Sequence, residues 1–103
     1  MLRHVVMFRW TEATTADDVA AVEAALRQLP AAIPEIRAYT MGSDVGVNQG
    51  NYHYAVVADF DDEAAFIAYR DHPRHRAVIA ERISDHLAER SAVQFVVDDR
   101  GAT

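Results

Sequence analysis

Five histidines, four tyrosines and no cysteine make up the neutral-pH proton chemistry of this 103-residue chain. Histidine is the side chain whose ordinary pKa lies closest to physiological pH, so each is weighed first as an acid, a base or a metal ligand. Three of these residues fall in one stretch, YRDHPRHRAV, which carries Tyr69, His72 and His75. Pro73 suits the first position of a helix, where its missing N–H costs nothing. His72 then stands at the cap and His75 in the first turn. Unpaired N–H groups and the positive end of the helix dipole both favour a neutral imidazole there, and a neutral imidazole is what a general base requires. The plain alternative is that Asp71, His72 and Pro73 only start a helix and that His75 is a histidine at the edge of the core.

Zinc is the competing chemistry. His72 and His75 are three apart beside Asp71, but a zinc site needs three or four converging ligands, and no third ligand stands out. No metal is expected. His4 shares a strand face with Val6, Phe8 and Trp10, a polar group in an apolar row. Tyr69 reads as core packing with its hydroxyl reaching outward. Tyr54 shares a face with Val56 and Phe60, His53 takes the other face with Val57, and His86 is assigned no role. Gly42, Gly46 and Gly50 are spaced for a hairpin rather than a phosphate loop, and no G-x-S-x-G elbow occurs. An enzyme built from these parts would work without a cofactor, on His and Tyr.

The elements that must position these groups follow from periodicity. LRHVVMFRW is apolar on both faces at its centre and reads as a central strand. TTADDVAAVEAALRQLP reads as a helix capped by Thr15, with Asp17 and Asp18 in the first turn and Val19, Val22, Leu26 and Leu29 in one stripe. EIRAYTMG is a second strand, and SDVGVNQGN links it to a third, YHYAVVADF. DDEAAFIAYR is a short helix capped by Asp61 or Asp62. A further helical piece starts at Pro73 and turns Val78, Ile79 and Ile83 inward, and SAVQFVV is the last strand. Residues 1–97 make one domain, and 98–103 read as a flexible tail. The order strand, helix, strand, strand, helix, strand predicts an α+β, ferredoxin-like fold, an antiparallel four-stranded sheet with helices on one face. The other face would hold Val5, Met7, Ala55 and Val57. That patch is too apolar for water, so a twofold homodimer is expected to cover it.

Composition narrows the partners. Half the residues are hydrophobic, so a core is expected, and a chain this short buries roughly two-thirds of its unfolded surface. Formal charge is −6, with ten arginines and no lysine. An acidic chain without a basic stripe is a poor ligand for nucleic acid. The absence of cysteine removes disulfides, thiolate nucleophiles and Cys-based zinc sites. The apolar run VVMF is too short for a signal segment or a membrane span, so a cytoplasmic protein without membrane attachment is expected.

RHVVMFRW, YHYAVVADF and YRDHPRHRAV, in this order and spacing, resemble the stress-responsive α/β-barrel (Dabb) domain family over about Leu2 to Val97. The resemblance implies a ferredoxin-like fold whose two sheets close into a dimeric α/β-barrel. Most of the family has no assigned reaction. One plant member, olivetolic acid cyclase, closes a linear tetraketide without a cofactor, using a Tyr–His pair and a strand histidine. By position these resemble Tyr69, His75 and His4. The resemblance also implies an apolar pocket between sheet and helices, lined by Val6, Phe8, Tyr54 and Val56 from the strands and Val22, Leu26 and Val78 from the helices. Two departures stand out. Tyr54 occupies the position of a further histidine in the cyclase, and Val22 and Leu26 replace aromatic side chains. A differently shaped cavity follows, so a small apolar or aromatic keto acid is the expected ligand rather than the polyketide. Two readings remain open, a cyclase- or isomerase-like enzyme and a non-catalytic stress-responsive dimer that binds a ligand or serves structure.

Overall fold

The computed structural model describes residues 1–97; the expected tail at 98–103 lies outside the described residues. Strand β1 spans Leu2–Trp10, helix α1 Ala16–Arg27, the short helix α2 Leu29–Ala32, strand β2 Ala38–Ser43 and strand β3 Tyr54–Phe60. Helix α3 spans Glu63–Asp71 and α4 Pro73–Val78; a π-helical turn over Ile79–Ile83 and a 3-10 turn over Ser84–His86 then lead into β4, Leu87–Val96. The four strands form one antiparallel sheet in the order β2-β3-β1-β4, the ferredoxin-like arrangement.

The local chemistry explains the boundaries. Thr15 Oγ1 accepts from the Asp18 N–H at 3.1 Å while the Asp18 carboxylate accepts from the Thr15 N–H at 2.9 Å, a reciprocal capping box at the start of α1. Asp62, not Asp61, caps α3, accepting from the Ala65 N–H at 2.9 Å. Asp61 instead pairs with Arg37. His72 ends α3 and caps α4, its Nδ1 accepting from the Arg74 N–H at 3.1 Å.

Strand alternation divides the sheet into two unlike faces. Leu2, His4, Val6 and Phe8 of β1 and Tyr54, Val56, Ala58 and Phe60 of β3 are buried on the helical side. There they meet Val22, Leu26, Leu29, Ile33, Tyr69 and Ile83, which complete the core. The opposite face carries Val5, Met7, Ala55 and Val57, joined across the register by Val93 and Phe95, which are 55% and 45% exposed.

Several boundaries differ from the sequence reading; β3 begins at Tyr54 rather than Tyr52, and the first helix stops at Arg27, with Pro30 inside the separate helix α2. β2 begins at Ala38 rather than Glu35. β4 begins at Leu87 rather than Ser91, because Leu87 packs against the core and the ladder with β1 extends to Trp10. The run Ala88–Arg90 has no strand propensity of its own, but β4 is an edge strand and its side chains stand largely in solvent.

Candidate functional site

Between the helical face of the sheet and α3, α4 and the π-helical turn lies a cavity of about 390 Å³. Its floor comes from β1 and β4. His4, Val6 and Phe8 stand opposite Gln94, Ala92 and Arg90 in the ladder, so all six project to the same side. Its wall is Phe66, Tyr69 and Arg70 of α3, His75 of α4, then Ile79 and Ile83, with Tyr39, Leu26, Val56 and Leu87 closing the ends. Arg90, Ala92 and Gln94 are exposed, so the cavity opens along β4, the edge strand on that side of the sheet.

Three side chains from three elements meet here. The His75 ring lies against the Tyr69 ring with centroids 4.1 Å apart, and the His4 ring is 6.3 Å from Tyr69. Both imidazoles have one nitrogen committed, to partners of opposite character. The Arg70 carbonyl accepts from His75 Nδ1 at 3.0 Å, which makes Nδ1 the protonated nitrogen and leaves Nε2 with its lone pair. The amide nitrogen of Gln94, which can only donate, reaches His4 Nδ1 at 2.8 Å. A neutral His4 therefore carries its proton on Nε2. The site thus holds one imidazole as an acceptor and the other as a donor.

Electrostatics keep both rings neutral. Burial, reinforced by the charge of Arg90 and by His75, lowers the His4 pKa to about 4. His75 is also lowered, chiefly by burial, then by the Arg90 and Arg76 charges, against an opposing contribution from its bond to Arg70. Burial is thus the largest cause, acting in the same direction as the helix-end effect read from the sequence. Tyr69 donates nothing to His75. Its hydroxyl pairs with that of Tyr39 at 2.8 Å, and burial pushes it up to about 12. Tyr39 rises further, through burial and then the neighbouring phenol. Two phenols sharing one bond use one proton, and the second remains for the cavity. The Tyr–His pair implied by the resemblance is therefore met as ring against ring, and the Tyr69 hydroxyl bonds Tyr39 instead of His75.

The stress responsive A/B barrel domain, Dabb, matches residues 2–97. The chain belongs to this family. No curated protein matches it significantly. Among solved structures, a dimeric ferredoxin-like protein of unknown function from Thermobifida fusca is 52% identical, with a TM-score of 0.87 over 93% of this chain and 90% of that one. A Dabb family protein from Mesorhizobium loti is 22% identical, with a TM-score of 0.79 over 94% and 96% of the two chains. A hydroxynitrile lyase from Passiflora edulis is 17% identical, with a TM-score of 0.83 over 95% and 94%. At those lower identities the last two show a shared fold.

Within this Dabb chain, His4, Tyr69 and His75 line the cavity together with Val6, Phe8, Leu26 and Val56. Val22, Tyr54 and Val78, expected around the same pocket, are not among its lining residues. Val22 lies in the closed core one turn from Leu26, and Tyr54 turns away to give its hydroxyl to Glu23 at 2.6 Å beside Trp10. Val78 packs half-buried against the core. His53 accepts from the Trp10 N–H at 2.8 Å, and His86 lies near Thr14, both outside the cavity. Among the described residues no group of three or more acidic or histidine side chains is placed to hold a metal ion, and no helix is long and apolar enough to cross a membrane. Tyr39, Phe66, Arg90 and Gln94 went unassigned in the sequence reading. Tyr39 is one half-buried tyrosine on a short strand, with no local signal. Arg90 and Gln94 become legible only through the β1–β4 register, which pairs them with Phe8 and His4.

Proposed function

We propose that this protein is a homodimeric enzyme that moves protons on a small carbonyl compound with an apolar or aromatic body, without a cofactor. The observation that carries the reading is the opposed tautomers of His75 and His4 across one cavity. His75 Nε2, unprotonated and free of a partner among the described residues, takes a proton from the carbon next to the carbonyl. His4 Nε2–H donates to the oxygen on which the enolate charge develops, a placed donor in a site of low polarity. The leftover phenolic proton of the Tyr39–Tyr69 pair is a second donor for that oxygen. Returning the proton to a different atom is isomerisation; attack of the enolate on a second carbonyl in the same molecule is cyclisation.

The homodimer is supported by the apolar face opposite the cavity, with Met7, Val93 and Phe95 exposed, and by the dimeric form described for the Thermobifida fusca relative. Closing two such faces together gives the α/β-barrel. A cytoplasmic site of action fits the absence of cysteine.

A second reading, a dimeric stress-responsive module that binds a ligand without transforming it, is favoured by one observation. Tyr69 commits its hydroxyl to Tyr39 and is bonded to no base. Deuterium exchange separates the two readings. In D2O, an acetoacetate ester with an aromatic alcohol should exchange its C2 hydrogens faster with protein than without, as followed by proton NMR. His75→Ala should remove that acceleration while leaving the thermal midpoint nearly unchanged. Exchange unaffected by the protein, with binding retained, selects the module.

A further inference from the structure

The cavity carries a charge imbalance that proton transfer does not use. Its lining contains two guanidinium groups, from Arg70 and Arg90, and no aspartate or glutamate. Arg70 is answered by the Asp71 carboxylate at 2.9 and 3.0 Å. Arg90 has no acidic partner within salt-bridge distance among the described residues; its neighbour Glu89 points to the other face of the sheet, toward Arg9. Yet Arg90 is close enough to the centre to lower the pKa values of His4, Tyr69 and His75 alike. Arg90 is exposed and solvated, but it stands beside two neutral imidazoles and a phenol at the cavity with no lining carboxylate to compete for it, so an incoming anion meets no rival. The strand places it at the cavity's open end, with Ala92 next on the same face and Gln94 beyond.

We propose that Arg90 is the substrate's anion anchor and that the natural ligand is a carboxylic acid, lying over Ala92 with its carboxylate at Arg90 and its reacting carbonyl between His4 and His75. The inference rests on the cavity reading above and adds the residue that holds the acid group and the direction in which the ligand lies. A planar guanidinium offers two parallel N–H donors that match a carboxylate. A phosphate group generally calls for several converging donors, and a single unpaired fork suits a monocarboxylate better. Ala92, the small residue between Arg90 and Gln94, leaves room for an apolar body against Phe66 and Ile79.

Isothermal titration calorimetry with 3-phenylpropanoate and its uncharged match, 3-phenylpropanamide, tests this. The acid should bind the unmodified protein at least about tenfold more tightly than the amide, the least expected of a charge-assisted pair. Arg90→Gln should abolish that preference, weakening the acid far more than the amide, with circular dichroism and the thermal midpoint of the variant showing that the fold is intact. Arg90→Lys should restore part of it. Ala92→Phe should weaken both probes. Equal binding of acid and amide to the unmodified protein overturns the inference and leaves the cavity reading standing. So does a preference that survives Arg90→Gln, or acid binding that survives Ala92→Phe. Failure of both probes to bind overturns the inference and the cavity reading together.

Discussion

His75 lies on the face of Tyr69, ring centroids 4.1 Å apart and planes inclined by 32°, while the Tyr69 hydroxyl points to Tyr39. The phenol ring therefore acts on the imidazole as a flat support. Together with the Arg70 carbonyl on Nδ1, it holds the His75 ring in one orientation and leaves Nε2 facing the cavity.

This geometry separates the ring of Tyr69 from its hydroxyl. Tyr69→Phe keeps the support and should retain carbonyl-probe exchange within about tenfold, the loss of one modest donor. Tyr69→Ala removes the support and should cost far more. Equal losses in the two variants, measured by NMR exchange, would place the hydroxyl itself in the chemistry.

The Tyr39–Tyr69 hydroxyl pair should appear in stability. Tyr39→Phe strands the buried Tyr69 hydroxyl and should destabilise by about 1–2 kcal/mol. The double phenylalanine variant should lose less than the sum of the two singles, because the second substitution removes a group already left unpaired. Urea unfolding of all three variants decides it, and strict additivity would mean the hydroxyls do not depend on each other.

Stability should fall on mild acidification. An unfolded His4 takes its proton near pH 6.5, but in the fold its pKa is lowered to about 4 by burial and by the charges of Arg90 and His75. Between those values only the unfolded chain binds that proton, so stability rises with pH through the window and is complete above it. His75, also lowered, acts in the same direction. Asp59, held low by its pairing with Arg3, loses its contribution only below the ordinary carboxylate range. Moving from pH 7 to 4.5 should cost about 2 kcal/mol, the full shift discounted for solvent reaching the ring through the cavity mouth. His4→Gln should flatten the dependence in urea titrations. A slope unchanged by that substitution would assign it to other groups.

The apolar outer face should govern assembly. Phe95→Glu puts a charge into the proposed subunit contact, where burying it without a partner is costly. The variant should sediment as a monomer under conditions where the unmodified chain is a dimer. A persistent dimer would move the contact to another surface.

Much of the frame was legible in the sequence because it rests on local rules. The two-sided run in β1, the Thr15 capping box, the His72–Pro73 helix start and the apolar stripe of α1 each follow from neighbours a few residues away. Their order was enough to reach the antiparallel sheet with helices on one face. The placement of His4 on the helical side was equally readable, since alternation along one strand decides it.

The chemistry of the site was not local. Which nitrogen of His4 carries the proton depends on Gln94, ninety positions away in the chain and adjacent only through the β1–β4 register. Whether Tyr69 meets His75 by edge, face or hydroxyl depends on Tyr39 arriving from β2. Arg90 had no assignment until the ladder carried β4 back to Leu87 and set its side chain on the helical face. Side-chain types and helix starts are properties of short segments, so the sequence by itself determined them; tautomers, stacking and unpaired charge arise from groups that only the folded sheet brings together.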